Sequence, residues 1–248
     1  MKDRVAIVTG ASRGIGLAVA QRLVEDGARV VLTARTAEAL DEAVRTFPTG
    51  TAVAVAGRAD DPVHLDAVIR AAGEYFARLD VLVNNVGINP AYGATIDIDL
   101  GAARKMVDVN VLGALAWTQA ALRAGLGFEH HGVVVNVSSV TGQIPSPGLG
   151  LYGVTKAALD HLTRTLAVEL GPEVRVNAVA PAVIKTVFSR SLYEGREGEV
   201  AAHYPLGRLG EPSDVANLVA FLCSDEAAWI TGQVITIDGG VLLAGGVA

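Results

Sequence analysis

Short runs of β-branched and aliphatic residues recur along the chain, at 5–8, 29–32, 51–55, 81–83, 133–137, 174–179 and 234–237. A helix-length segment separates each run from the next. This alternation predicts an α/β fold: a Rossmann-type, doubly wound parallel sheet of about seven strands with helices on both faces. Between the first two runs, Ile15, Val19, Leu23 and Val24 recur at helical spacing over 15–25, and Gly27 stops the pattern. Further helices are predicted over 37–47, 63–76, 102–124, 152–170 and 212–224. Residues 183–205 show no clear element, carry Phe188, Tyr193, His203 and Tyr204, and have the length and character of a lid.

Composition narrows the picture. With 248 residues, 51% of them hydrophobic, the chain can bury one large core, and no linker or repeat divides it, so a single domain over 1–248 is expected. Aromatic residues are only 5%, which suits close packing of small aliphatic side chains between helix and sheet. The net charge of −6 offers no basic stripe to a phosphate backbone, and nucleic acid is not expected as a partner. The one cysteine, Cys223, excludes an internal disulfide and reads as a small core residue. The apolar run after Met1 is too short for a signal peptide or a membrane span, so a cytoplasmic protein that does not enter a membrane is expected. The five histidines lack metal-site spacing, and no metal is expected.

The first candidate chemistry lies between the first strand and the first helix, in Thr9-Gly10-Ala11-Ser12-Arg13-Gly14-Ile15-Gly16. Glycines there allow a tight turn and close approach of backbone N–H groups to a pyrophosphate, to which the helix N-terminus adds partial positive charge. The Gly-x-x-x-Gly-x-Gly spacing resembles the short-chain dehydrogenase/reductase family. The resemblance runs over essentially the whole chain through Asn84-Asn85-Val86-Gly87, Asn110, Ser139, Tyr152-x-x-x-Lys156 and Pro181-Ala182-Val183-Ile184. Members that reduce 3-oxoacyl thioesters of the acyl carrier protein are the most similar. Val86 and Ala182 depart from the family's usual Ala and Gly.

The second strand ends in Leu32-Thr33-Ala34-Arg35-Thr36. It lacks the carboxylate that would bind an NAD ribose and repel a 2′-phosphate. Arg35 can instead fork onto that phosphate, and Arg13 can reach it from the glycine turn. NADP(H) is therefore the expected cofactor. The resemblance adds cofactor contacts at Gly10, Ser12, Gly14, Ile15, Gly16, Asn85, Gly87, Tyr152, Lys156 and Pro181, with backbone at Ile184 toward the carboxamide and Thr186 toward the pyrophosphate. The family's adenine-binding Asp falls at Arg58, which leaves backbone near Ala59 for that contact, or Asp60 if the loop shifts.

Tyr152 and Lys156 are four apart at a helix start and share one face. A phenol of reference pKa about 10 is a poor base near neutrality, and a neighbouring ammonium favours its ionised form. In reduction the phenol would protonate the developing alkoxide, and in oxidation the roles reverse. Ser138 and Ser139 both could hold the substrate oxygen; the family sets its serine thirteen residues before the tyrosine, which selects Ser139. By resemblance Asn110 holds a water that links Lys156 to solvent. Segments 144–149 and 89–92 and the lid are expected to wall a mostly apolar substrate cleft, with Ile144, Ser139 and Tyr152 as contacts. A neutral or hydrophobic carbonyl fits it: a 3-oxoacyl thioester, an aliphatic or cyclic ketone, a steroid-like ketone or a sugar-type polyol. No Arg or Lys cluster forms an evident carrier-protein patch. The Ala- and Leu-rich helices 102–124 and 152–170 belong, in the family, to dimer and tetramer contacts, so a homotetramer is expected. Two other functions stay open: a polyol or alcohol dehydrogenase running oxidatively, and a dinucleotide-sensing protein without chemistry.

Overall fold

The computed structural model describes residues 1–128 and 130–246. Seven strands form one sheet: β1 (Val5–Thr9), β2 (Arg29–Ala34), β3 (Ala52–Ala56), β4 (Val81–Asn84), β5 (Gly132–Val137), β6 (Val174–Pro181) and β7 (Val234–Ile237). Every pair is parallel, in the order β3-β2-β1-β4-β5-β6-β7. Each aliphatic run in the sequence thus became a strand. The order reverses between β1 and β4, and in such sheets ligands bind in the crevice outside the strands' C-terminal ends.

The helices are α1 (Gly14–Glu25), α2 (Ala37–Val44), α3 (Pro62–Phe76), α4 (Leu100–Val107), α5 (Gly113–Arg123), α6 (Gly150–Leu170), α7 (Arg190–Tyr193), α8 (Glu197–Ala201) and α9 (Pro212–Cys223). Side chains alternate across a strand, and the core divides accordingly. Ala6 and Val8 of β1 pack with Val19 and Leu23 of α1, Leu40 of α2 and Val215 and Val219 of α9. Val5 and Ile7 face the other way, against Val68 of α3, Trp117 of α5 and Leu166 of α6. Each fully buried Val or Leu contributes about 1.5–3 kcal/mol relative to exposure. Asp61 starts α3 by accepting from the Val63 N–H at 3.0 Å, and Pro62 at the first helical position gives up no hydrogen bond. Cys223 is fully buried, and burial pushes its thiol up to about 12, out of reach of thiolate chemistry.

Two elements differ from expectation. The helix predicted over 102–124 is α4 and α5 joined by a π turn, Asp108–Leu112, which shifts the hydrogen-bond frame by one residue and turns Asn110 inward. The segment read as irregular over 183–205 contains the short helices α7 and α8. They sit on a small core of Val183, Tyr204, Leu209 and Val241, to which Leu192 and Val200 add. The pattern was too short there to show a helical period. Among the described residues no helix is long and apolar enough to cross a membrane, and no cluster of potential metal ligands occurs.

Candidate active site

The glycine turn is shaped by backbone contacts that larger residues would forbid. Gly14 takes φ +58°, the left-handed region, and a Cβ on Gly16 would stand 2.5 Å from the Gly10 carbonyl oxygen. Asn85, at the end of β4, ties the turn down: its Nδ2 donates to the Thr9 and Gly10 carbonyls at 2.8 and 3.2 Å. The Thr9 hydroxyl in turn accepts from the Asn85 and Val86 N–H groups. The Asn85 amide is thus committed to the turn, and its sequence neighbours do not reveal this. Ala11 N–H donates to the Thr33 carbonyl at 3.0 Å, which fixes the turn against β2.

The loop after β6 closes over the same turn. The Thr186 side chain lies against Gly14, within 3.3 Å of where a Cβ would be. Ile184 bridges Gly210 through its neighbours' bonds, with Lys185 N–H donating to Gly210 and Gly210 N–H donating to Val183. The Ile184 carbonyl accepts from the Ser189 hydroxyl. Its own N–H therefore lies outside the bridge. Pro181 is buried at the end of β6, beside Ile237.

Arg13 and Arg35 are both exposed, and neither enters an ion pair among the described residues. Arg13 stands at the N-cap of α1, Arg35 directly after β2. Arg58 differs. It holds Asp60 with two bonds of 3.2 and 3.0 Å, and Lys105 of α4 pairs with the same carboxylate. These two cations hold the Asp60 carboxyl well below the usual carboxylate range. Asp60 therefore stays ionised and engaged with both cations. The Ala59 carbonyl accepts from Trp117 Nε1 at 3.1 Å.

Tyr152 and Lys156 of α6, Ser139 after β5 and Asn110 of the π turn lie on three adjoining elements. Lys156 is 2% exposed, and its Nζ donates to the Val137 carbonyl at 2.8 Å, 5.5 Å from the centre of the Tyr152 ring. A Cβ on Gly87 would stand 3.2 Å from that Nζ and 3.7 Å from Asn110 Oδ1, so Gly87 borders both groups. Asn110 brackets the Ile88 peptide: Oδ1 accepts from its N–H at 2.8 Å and Nδ2 donates to its carbonyl at 3.0 Å. Thr155 Oγ1 also accepts from Asn110 Nδ2.

The two serines are separated by their surroundings. Ser138 is 4% exposed and its hydroxyl turns back to the Lys156 carbonyl at 3.4 Å. Ser139 is half-buried, and its oxygen accepts from the Thr141 N–H at 3.2 Å and hydroxyl at 3.0 Å. With two donors on its oxygen, the Ser139 proton is free for a third partner. The Ser139 turn packs directly on the first turn of α6, because a Cβ on Gly153 would overlap the Thr141 carbonyl.

Burial sets the ionisation here. It draws the Lys156 ammonium down to about 8, with Asp160 opposing the shift. It also pushes the Tyr152 phenol above its usual range. Burial of the hydroxyl outweighs the lowering expected from the ammonium, whose Nζ lies over the ring. Near neutrality the phenol holds its proton.

Two of the segments expected to wall the cleft touch each other. Tyr92 packs on Gly148, and Gly93 N–H donates to the Gly148 carbonyl at 3.1 Å. Ile144 is half-buried one turn beyond Ser139. The Phe188 ring lies 6.1 Å from that of Tyr152, a contact that sequence spacing could not show.

A family profile described as Enoyl-(Acyl carrier protein) reductase matches residues 10–242. The chain is 41% identical over 249 residues to Dehydrogenase/reductase SDR family member 4 of Homo sapiens, covering 97% of this chain and 88% of that one. A short-chain dehydrogenase of Burkholderia cenocepacia J2315, solved in complex with NADP, superposes with a TM-score of 0.89 at 35% identity, covering 97% and 98% of the two chains. A Brucella melitensis structure described as a short-chain dehydrogenase/reductase, glucose/ribitol dehydrogenase, gives 0.92 at 31%, covering 97% of each.

Proposed function

Because the chain belongs to the short-chain dehydrogenase/reductase family of NAD(P)-dependent oxidoreductases, we propose that it reduces a ketone to a secondary alcohol with NADPH. One observation carries the reading: the buried Lys156 ammonium lies over the ring of a protonated Tyr152, on the helix against which the Ser139 turn packs.

The turn fits a pyrophosphate, with Gly10, Ser12, Gly14, Ile15 and Gly16 lining it and Thr186 closing it from the β6 side. Asn85 braces the turn, and Gly87, Pro181 and the Ile184 N–H border the nicotinamide end. Arg13 and Arg35, unpaired by any carboxylate among the described residues, would hold the 2′-phosphate, each charge-assisted bond contributing about 1.5–3 kcal/mol. Arg58 and the backbone at Ala59 border the adenine end. NADPH, when bound, supplies the hydride. Ser139 donates to the substrate oxygen and orients it. Tyr152 gives that oxygen its proton, and the Lys156 ammonium stabilises the phenolate left behind. Asn110, fixed on the Ile88 peptide, keeps Lys156 on a route by which the phenolate regains a proton.

Phe188 lies beside Tyr152, and with Ile144 and Tyr92 as further walls the cleft would suit an apolar, uncharged ketone, with the 3-oxoacyl thioester as the favoured class. A panel of ketones, including a 3-oxoacyl thioester, assayed with NADPH and with NADH tests this. NADPH-dependent reduction should dominate, and Tyr152→Phe should lower kcat by about 10²–10⁴-fold while NADPH still binds. Equal use of both cofactors, or polyol oxidation with NAD as the main activity, would overturn it.

A further inference from the structure

The scheme above leaves Asp160 without a task, although it lies one helical turn beyond Lys156 on the same face of α6. It is 4% exposed, and its Oδ1 has no hydrogen-bond partner among the described residues. Leu159, Thr163 and Leu166 of the same helix are buried around it in sequence, positions where an apolar or neutral residue costs nothing. A buried carboxylate is costly unless charges or donors compensate it. Here they come from three directions. Lys156 precedes it by four residues and Arg164 follows by four, so the helix reads cation, carboxylate, cation along one stripe. From the end of β5 comes Ser138, whose hydroxyl donates to the Lys156 carbonyl and whose dipole favours the ionised carboxylate. From the turn carrying Ser139, a Cβ on Gly142 would stand 3.2 Å from Asp160 Oδ2 and 2.9 Å from the Ala157 nitrogen, so that turn is seated directly over the carboxylate.

We propose that Asp160 is a positioning residue for the reduction: its carboxylate, one helical turn beyond Lys156 and directly under Gly142, keeps the Lys156 ammonium charged and seats the turn that presents Ser139. This rests on the Tyr152–Lys156 reading above. The charges run the right way. Burial alone draws Lys156 down, and Asp160 is the opposing influence. Burial pushes Asp160 up, while Ser138, Arg164 and Lys156 hold it down. Lys156 otherwise faces the Tyr152 ring, the Val137 carbonyl and the Asn110 amide, of which only Tyr152 titrates, and its phenol is protonated near neutrality.

The test is the pH profile of kcat for NADPH-dependent ketone reduction in wild type, Asp160→Asn, Asp160→Ser, Asp160→Glu and Tyr152→Phe. Wild type should lose activity as pH rises through about 8, where Lys156 loses its proton. Asp160→Asn keeps the shape but removes the charge, and should move this limb down by on the order of one pH unit. Asp160→Ser should move it the same way, and Asp160→Glu should restore it. The readout is the position of the limb, which loss of folded protein does not shift. A wild-type limb in both neutral variants, or a uniform loss of kcat at every pH, would reduce Asp160 to a structural part and overturn the inference. Tyr152→Phe separates the two readings: its inactivity beside an unmoved limb in Asp160→Asn refutes only the Asp160 role, whereas full activity in Tyr152→Phe refutes the acid–base scheme itself.

Discussion

At Lys156 an ammonium is held in a site that burial would rather keep neutral, and the pH dependence of the enzyme follows from that tension. The Tyr152 phenol, pushed up by burial, keeps its proton well above neutrality, so the loss of reduction at rising pH belongs to Lys156. Below about 8 the lysine is charged and the proposed reduction should proceed; above it the phenolate would form without a compensating cation and kcat should fall. Lys156→Arg, which keeps its charge throughout this range, should flatten that limb while lowering kcat through the altered geometry. A stopped-flow pH series checks this, and an unmoved limb would assign the titration elsewhere. The proposed cofactor preference belongs to the same scale. Replacing Arg35 with Ala should raise KM for NADPH roughly ten- to hundredfold and leave NADH nearly unchanged. Arg13→Ala should act in the same direction. These proposed roles can be read from the sequence because single residue types at fixed spacings state their chemistry. Asp160 and Ser138 were not, because their partners lie across β5 and α6 and only burial makes them matter. The phenol's direction of shift also escaped, since it depends on how much solvent reaches one oxygen.

Among the elements, the junction of β1 and α1 shows most plainly how a sequence pattern becomes a site. The turn must fold back so tightly that the Gly16 Cα comes against the Gly10 carbonyl. Gly16→Ala should force these apart at a cost of about 1–3 kcal/mol, weakening NADPH binding roughly tenfold or more, as a fluorescence titration would read. A variant that binds as wild type would mean the turn relaxes freely. Strands were easy to see because a parallel sheet buried on both faces leaves uninterrupted aliphatic runs. The π turn at Asp108–Leu112 was hidden, for its residues are compatible with an ordinary helix and only the inward demand of Asn110, bonded to Ile88 and Thr155, selects the extra residue per turn. The helices α7 and α8 were hidden for another reason. Their apolar residues Leu192, Tyr193, Val200 and Ala201 serve a small separate core, and four or five residues cannot display a period.

Across the whole molecule, the surface retains apolar groups that the sheet does not use. On α4 and the π turn, Leu100 is 67% and Leu112 is 51% exposed, and on α6, Val154 and Val168 also face outward. The sequence suggested this surplus through the Ala- and Leu-rich helices, and the fold locates it on the faces turned away from the core. Scattered single residues of this kind are ordinary, but a stripe shared by neighbouring helices loses free energy to water that a second copy would recover at about 25 cal/mol per Å² of apolar surface covered. We therefore expect a homotetramer, with α4, α5 and α6 in at least one of its contacts. Because α6 also carries Tyr152 and Lys156, such packing would stiffen the helix that holds the reacting centre. Light scattering should give four times the chain's mass, and replacing both Leu112 and Val168 with Glu should reduce it, since buried like charges would face one another across the contact. A wild-type monomer at working concentration would refute the assembly, and a tetramer unaffected by the double substitution would move the contact to another face.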